Sequence, residues 1–266
     1  MVLKCHFDGG NQADSTQYKT VTLGSLFGRK DEWTPFENQW KNILNTYGAD
    51  YLHTSDAVTL NGIYKGWRPP KRDAFIQECA DLIKESIVKP DGDDSVTPGL
   101  FPCAIVIVLE DFNRARGERL FQWQNANEVL AVQSFYRAIE CLQVIEGHFL
   151  QMYFDQNEPF MGHFKDRRNN AKFVADIKKQ GFDIERRIAH IGESDMRLSP
   201  ALQAADLLAY CVGRKHEEIK FTWQRTMLET DRIEEWLDYS VLVKPIPGVF
   251  DLVTKRWKFP KRGATK

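Results

Sequence analysis

The chain has little cysteine chemistry to offer. Its five cysteines, Cys5, Cys79, Cys103, Cys141 and Cys211, are far apart and form no CxxC pair, so a zinc knuckle or redox dithiol is excluded. Several sit inside apolar stretches, as reduced core thiols do. Long apolar runs are missing too. The longest, Cys103 to Leu109, falls far short of the ~20 residues that span a bilayer, and no membrane span is expected. The N-terminus, Met-Val-Leu-Lys-Cys-His-Phe-Asp, meets charge too early to hold the apolar centre of a signal peptide. A cytoplasmic protein is the expectation. No phosphate-binding loop with its Gly-Lys-Ser/Thr ending occurs, which excludes a P-loop kinase. No Gly-x-Ser-x-Gly elbow occurs either, and there is no internal repeat. Excess charge of one sign is also absent. Lys and Arg number 36 against 37 Asp and Glu, a balance that argues against non-specific coating of nucleic acid while leaving room for a local basic groove.

What is present is an ordinary globular composition, 42% apolar and 27% charged. A chain of this length buries about three-quarters of its unfolded surface. Alternating or continuous apolar segments predict strands at about 2–7, 18–27, 101–109, 148–154 and 184–191. Helical spacing predicts helices over 33–47, 72–87, 120–145, 164–179, 200–216 and 226–237. Asp50 to Asp56 reads as a short strand or loop, and Asp91 to Ser95 as a polar surface loop. Ser199 is placed to cap the helix that Pro200 begins. Strands first, then strands alternating with helices, predict an α/β fold: a single-domain mixed β-sheet flanked by helices over residues 1–222. Residues 223–266 would add a C-terminal helix and a basic tail packed on that domain.

Asp8 and Asp155 each fall at the C-terminal end of an apolar strand, where sites in α/β sheets are usually built. Either each acid simply opens a turn, or the pair shares a cleft. Two close carboxylates repel unless a cation holds them, and Mg²⁺ or Mn²⁺ suits hard oxygen ligands. Asp206 is a third acid of interest. Leu202 and Ala209 share its helix face, and no Lys or Arg lies within a turn. An ionised carboxylate there is costly without a partner, which a distant Arg or a shared metal would supply. Ala204 and Ala205 are small enough to let this helix approach the sheet closely.

The segments Phe7-Asp-Gly-Gly-Asn11, His53-Thr-Ser-Asp56 and Ser199-Pro-Ala-Leu-Gln-Ala-Ala-Asp-Leu-Leu-Ala-Tyr210 together resemble the domain of unknown function 3800 family. The resemblance runs in order over residues 1 to about 220, and the last segment is the specific one. It implies a ribonuclease H-like fold with helical insertions between residues 31 and 100. Such a site takes an Asp from the first strand, an Asp from the fourth and an acid from a C-terminal helix, here Asp8, Asp155 and Asp206. Family members often read Asp-Glu-Ser-Gly at the first site, whereas this chain reads Asp8-Gly9-Gly10-Asn11. Glu158 is either a further ligand or an exposed loop acid. Glu110-Asp111 rivals Asp155, but the element order after residue 155 fits the fourth strand better. His53, beside Asp56, is either a proton shuttle or a capping or packing residue.

Two metals held by carboxylates would clamp the attacking and leaving oxygens of a phosphodiester. Lys65, Trp67 and Arg68, with Tyr64, Lys71 and Arg72, form a basic and aromatic stretch suited to nucleic acid, unless Trp67 folds back onto the core. Arg167 and Arg168 follow Asp155 and would flank the site, and residues 255–262 form a second basic-aromatic stretch. Three readings follow. The chain is a metal-dependent nuclease or related phosphodiester-transfer enzyme, a non-catalytic nucleic-acid or protein-binding module on the same fold, or a metal hydrolase of a small phosphate ester.

Overall fold

The computed structural model describes residues 2–10, 19–87, 99–118, 149–156, 188–215, 219–229 and 233–237, with 89–90, 96–97, 158 and parts of 125–138. Six strands form one mixed sheet: β1 (Val2–Gly10), β2 (Thr20–Arg29), β3 (Phe101–Val108), β4 (Phe149–Asp155), β5 (Ile188–Ser194) and β6 (Ile233–Leu237). Their order across the sheet is β5-β4-β1-β2-β3-β6. β1, β2 and β3 form an antiparallel meander. β4 then runs parallel to β1, β5 parallel to β4, and β6 parallel to β3. All five expected strands are present within a few residues. A separate two-stranded ribbon pairs Lys89–Pro90 with Val96–Thr97.

The α-helices whose bounds fall within the described residues are α1 (Lys30–Tyr47), α2 (Thr54–Thr59), α3 (Pro69–Ser86), α4 (Leu109–Gly117), α5 (Pro200–Gly213) and α6 (Thr222–Glu229). α3 starts at Pro69-Pro70, where a missing amide proton costs nothing. One expectation is narrowed and one is corrected. Of the strand or loop expected at Asp50–Asp56, Asp50 to His53 is loop, and Thr54 opens α2, which Leu60 ends in the left-handed region, at φ 56°. The expected helix over 226–237 is two elements, α6 and β6. Backbone pairing of Ile233–Leu237 with β3 outweighs the helical spacing there. The expected helix over 164–179 and the loop Asp91–Ser95 lie outside the described residues, and the described positions between 126 and 138 are helical.

α5 organises the core. Every residue from Pro200 to Ala209 is buried, as expected of a helix apolar on all sides. It lies over β1, β2 and β3. Its outer side meets Trp40 of α1, Phe75, Ile76 and Ile83 of α3, and Trp223 and Met227 of α6 in one hydrophobic cluster. The close approach depends on Gly24, whose missing Cβ would sit against the Ala205 carbonyl and 2.7 Å from the Ala209 nitrogen. Small residues on both sides thus draw α5 down onto the sheet. Cys5, Cys79, Cys103 and Cys211 are buried and form no disulfide with one another. No helix among the described residues is long and apolar enough to cross a membrane.

Candidate functional site

Strand alternation decides which side chains meet α5. The register sets Asp8 opposite Gly24, and His6 opposite both Leu26 and Tyr153. Asp8 therefore faces the helix, while Leu3, Cys5 and Phe7 are buried on the opposite face. Phe7 pairs with Phe154, so the next residues, Asp8 and Asp155, follow side by side on neighbouring parallel strands. The chain pairs for two residues past Asp8, which lies in β1 rather than at its last position. Asp206 projects from α5, buried, and accepts a 2.6 Å hydrogen bond from the Thr54 amide at the start of α2. Asp155 accepts from the Met196 amide at 2.9 Å. Glu158 Oε1 accepts from the Gly9 amide at 2.9 Å, bringing that acid back to β1.

The acids share one field. Asp8 is 5% exposed, and burial pushes its carboxyl well above the usual range, followed by repulsion from Asp206, Glu158 and Asp155, with only the Gly9 amide opposing. Its Oδ2 is buried with no hydrogen-bond partner. Asp206 is also raised by burial, although His53 and Thr54 pull it back. Asp155 is raised by burial against the Met196 and Gln156 amides. Raised carboxyls that perturb one another mark a site built at the expense of stability.

His53 stands at the edge of this group. It precedes α2 but its ring makes no cap bond. Nδ1 lies 2.8 Å from Asp56 Oδ2, with both side chains 37% exposed. Burial lowers its basicity, but Asp206, Asp56 and Asp155 outweigh that and raise it overall. Tyr64 braces the segment: its hydroxyl accepts from the His53 amide at 3.2 Å and donates to the Tyr51 carbonyl at 2.6 Å.

The support that sequence reasoning missed is Gln203. One turn before Asp206, its buried Oε1 accepts from Trp40 Nε1 at 2.8 Å and from the Leu52 amide at 2.9 Å. Its Nε2 donates to the Met196 carbonyl at 3.0 Å. One side chain thus ties α1, the segment leading to His53 and the turn that holds Asp155 to the helix that carries Asp206. The available signal was a lone amide within an otherwise apolar helix start.

Among the other candidates, Lys65 and Arg68 are exposed. Trp67 is half-buried, edge-on to Tyr64 and Phe75, with Lys71 Nζ 3.8 Å from its ring centre. Its ring is engaged with the core, the second of the two alternatives. Arg167 and Arg168 lie outside the described residues. Asp111 opens α4 two strands from β1 and pairs with Arg114 at 3.1 Å.

The donor set fits a hard divalent cation in kind: oxygen ligands only, with Asp8 Oδ2 buried and left unpartnered. Among the described residues, however, no three His, Cys, Asp or Glu side chains are arranged to hold a metal ion. The carboxylates are gathered without being drawn onto one point. No protein-family model matches the chain, and no curated protein matches it.

Proposed function

We propose that this chain is a divalent-metal-dependent nuclease, or a related phosphodiester-transfer enzyme, on a ribonuclease H-like fold. The observation that carries the reading is the gathering of Asp8, Asp155 and Asp206, on two adjacent parallel strands and a helix packed over them, near enough for Asp206 and Asp155 to raise the Asp8 carboxyl. The strand order, an antiparallel meander followed by two parallel strands on the β1 side, supports the ribonuclease H-like arrangement. So does the occurrence of Asp8 and Asp206 in segments that resemble the domain of unknown function 3800 family, whose implied fold takes its second strand acid where Asp155 stands.

Asp8, Asp155 and Asp206 would hold Mg²⁺ or Mn²⁺, which supplies Lewis-acid polarisation of a phosphoryl oxygen and an activated water. The chain's own residues do the rest. The Thr54 and Met196 amides fix one oxygen each of Asp206 and Asp155, which leaves the carboxylates pre-oriented. Glu158, held on the Gly9 amide, adds negative charge beside Asp8. His53, held by Asp56, is charged more readily than an ordinary histidine and would give a proton to a leaving oxygen.

The test is cleavage of a panel of single-stranded, duplex and hybrid nucleic acids with and without Mg²⁺ or Mn²⁺. Metal-dependent cleavage is expected, with at least a hundredfold loss in Asp206→Asn while the fold is retained. Among the described residues Asp206 has no Arg or Lys hydrogen-bond partner, so this variant strands no described buried cation. A panel left intact under every metal condition would end the nuclease reading.

A further inference from the structure

One layer below the acids, the same sheet face carries a row of rings. His6 of β1 stacks on Tyr153 of β4 with centroids 5.0 Å apart and planes 15° apart. Tyr153 meets His190 of β5 at 5.1 Å. Trp33 closes the inner end, edge-on to His6 at 4.7 Å. The row runs from the core to the open: His6 is buried, Tyr153 half-buried and His190 exposed. The inner ring, buried between Tyr153 and Trp33, backs the row as a fixed flat face. α5 lies over β1, β2 and β3, which leaves the rings of β4 and β5 at the margin of the helical layer.

The outer ring is laid down by a glycine. Gly192 pairs with Tyr153, and a Cβ at 192 would sit 2.8 Å from His190 Cε1 and against Nε2. Without that carbon, the imidazole lies along the strand over residue 192 and against Tyr153. Two residues further, Ser194 pairs with Asp155. The turn that follows offers Arg197, its side chain 63% exposed while tied to Asp195. An open aromatic surface on β4 and β5, the half-exposed Asp155 at the end of β4 and a cation just past β5 thus follow one another.

We propose that the Tyr153–His190 shelf is a stacking platform for an unpaired nucleobase, so that the substrate beside the acids is a single-stranded nucleic acid. This rests on the phosphodiester reading of those acids and narrows its substrate. Every base has a π-face, so a flat exposed ring binds single strands with little sequence preference. A base in a duplex keeps both faces against its neighbours and gains nothing from the shelf. Arg197 complements the charge of the backbone that such a base drags along. A small phosphate ester would leave the shelf empty.

The experiment is metal-free fluorescence anisotropy with a labelled single-stranded oligonucleotide and its fully paired duplex, on the whole chain. Removing stacking on one base costs about 1–3 kcal/mol, or roughly 5–150-fold. His190→Ala should weaken single-strand binding by about tenfold. Gly192→Ala should do the same, because it displaces the ring without removing it. His190→Phe should bind at least as tightly as the parent, since it keeps the flat face and discards the ring nitrogens. Far-ultraviolet circular dichroism of each variant must match the parent, as an exposed edge residue allows. No single-strand binding, equal binding by His190→Ala, or a loss in His190→Phe as large as in His190→Ala would overturn the proposal. Duplex bound as tightly with the same ring dependence would overturn it too. Binding and cleavage are read separately. Ring-dependent binding without metal-dependent cleavage sinks only the nuclease reading, and cleavage with ring-independent binding sinks only the shelf.

Discussion

The two sides of the sheet's functional face are built to opposite specifications. On the α5 side, β2 is buried from Thr20 to Gly28, Gly24 touches helix backbone, and Asp8 and Asp206 are dry. On the β5 side, no residue of the strand is buried, Gly192 touches a movable imidazole, and Asp155 is half-buried. The first side fixes positions and perturbs acids. The second keeps those acids reachable. A site made wholly of the first kind would admit no polymer, and one made wholly of the second would have ordinary carboxylates.

The strongest test of this contrast sets one glycine against the other. Gly24→Ala forces a Cβ into the Ala205 carbonyl and the Ala209 nitrogen, which are backbone and cannot swing away. Overpacking of this kind costs about 3 kcal/mol or more, read as a loss in urea midpoint. Gly192→Ala meets only a side-chain tip, and stability should change by about 0.5 kcal/mol or less, as at ordinary surface sites. Equal losses at both positions would erase the distinction.

Gln203→Leu comes next. It strands the Trp40 and Leu52 donors in the closed side. Each buried unsatisfied group costs about 1–3 kcal/mol, partly offset by the apolar replacement, and a net loss of about 2–3 kcal/mol is expected by chemical denaturation. Quenched exchange should show the Leu52 amide losing protection first.

The smallest effect concerns charge. Asp8 has a folded-state affinity for protons above its unfolded one, so the native state is favoured at low pH. That contribution is lost as pH rises from the ordinary carboxylate range through the raised value. Asp8→Asn removes the loss. Its melting temperature in metal-free buffer at neutral pH should rise by about 2–4 °C for each kcal/mol relieved, and the gap should close at acid pH. Asp155→Asn should gain less, because Asp155 is half-buried and already accepts amide bonds. A larger gain at Asp155 than at Asp8 would reverse the contrast between the two sides.

Much of this was legible in the sequence because it depends on local pattern. Alternation along Val2–Phe7 and 148–154, and the unbroken run from Phe101, placed strands that the structure has at 2–10, 149–155 and 101–108. Asp206 could be singled out because a charge on an apolar helix has no local explanation. Three things depended on distant partners and were not legible. Residues 233–237 read as helix, because their strand form exists only through pairing with β3. The work of Gln203 needs three acceptors and donors that its own segment does not contain. His190 lies in an edge strand with little apolar alternation, and its value comes from Tyr153 and Gly192.

The meander that begins the fold leaves β3 as its outermost strand, and β3 is the strand least able to stand at a boundary. Pro102 to Ile107 are buried without interruption, so an uncovered β3 would present a row of unpaired backbone groups on an apolar ribbon. That is a template on which a second chain adds itself. β6 occupies the position by pairing from Cys103 to Ile107. The last described strand of the chain therefore serves as a guard against self-association, supplied only after every other strand of the sheet has been made. A chain shortened before residue 233 would keep its acids and its helix α5, and would meet its own copies edge to edge.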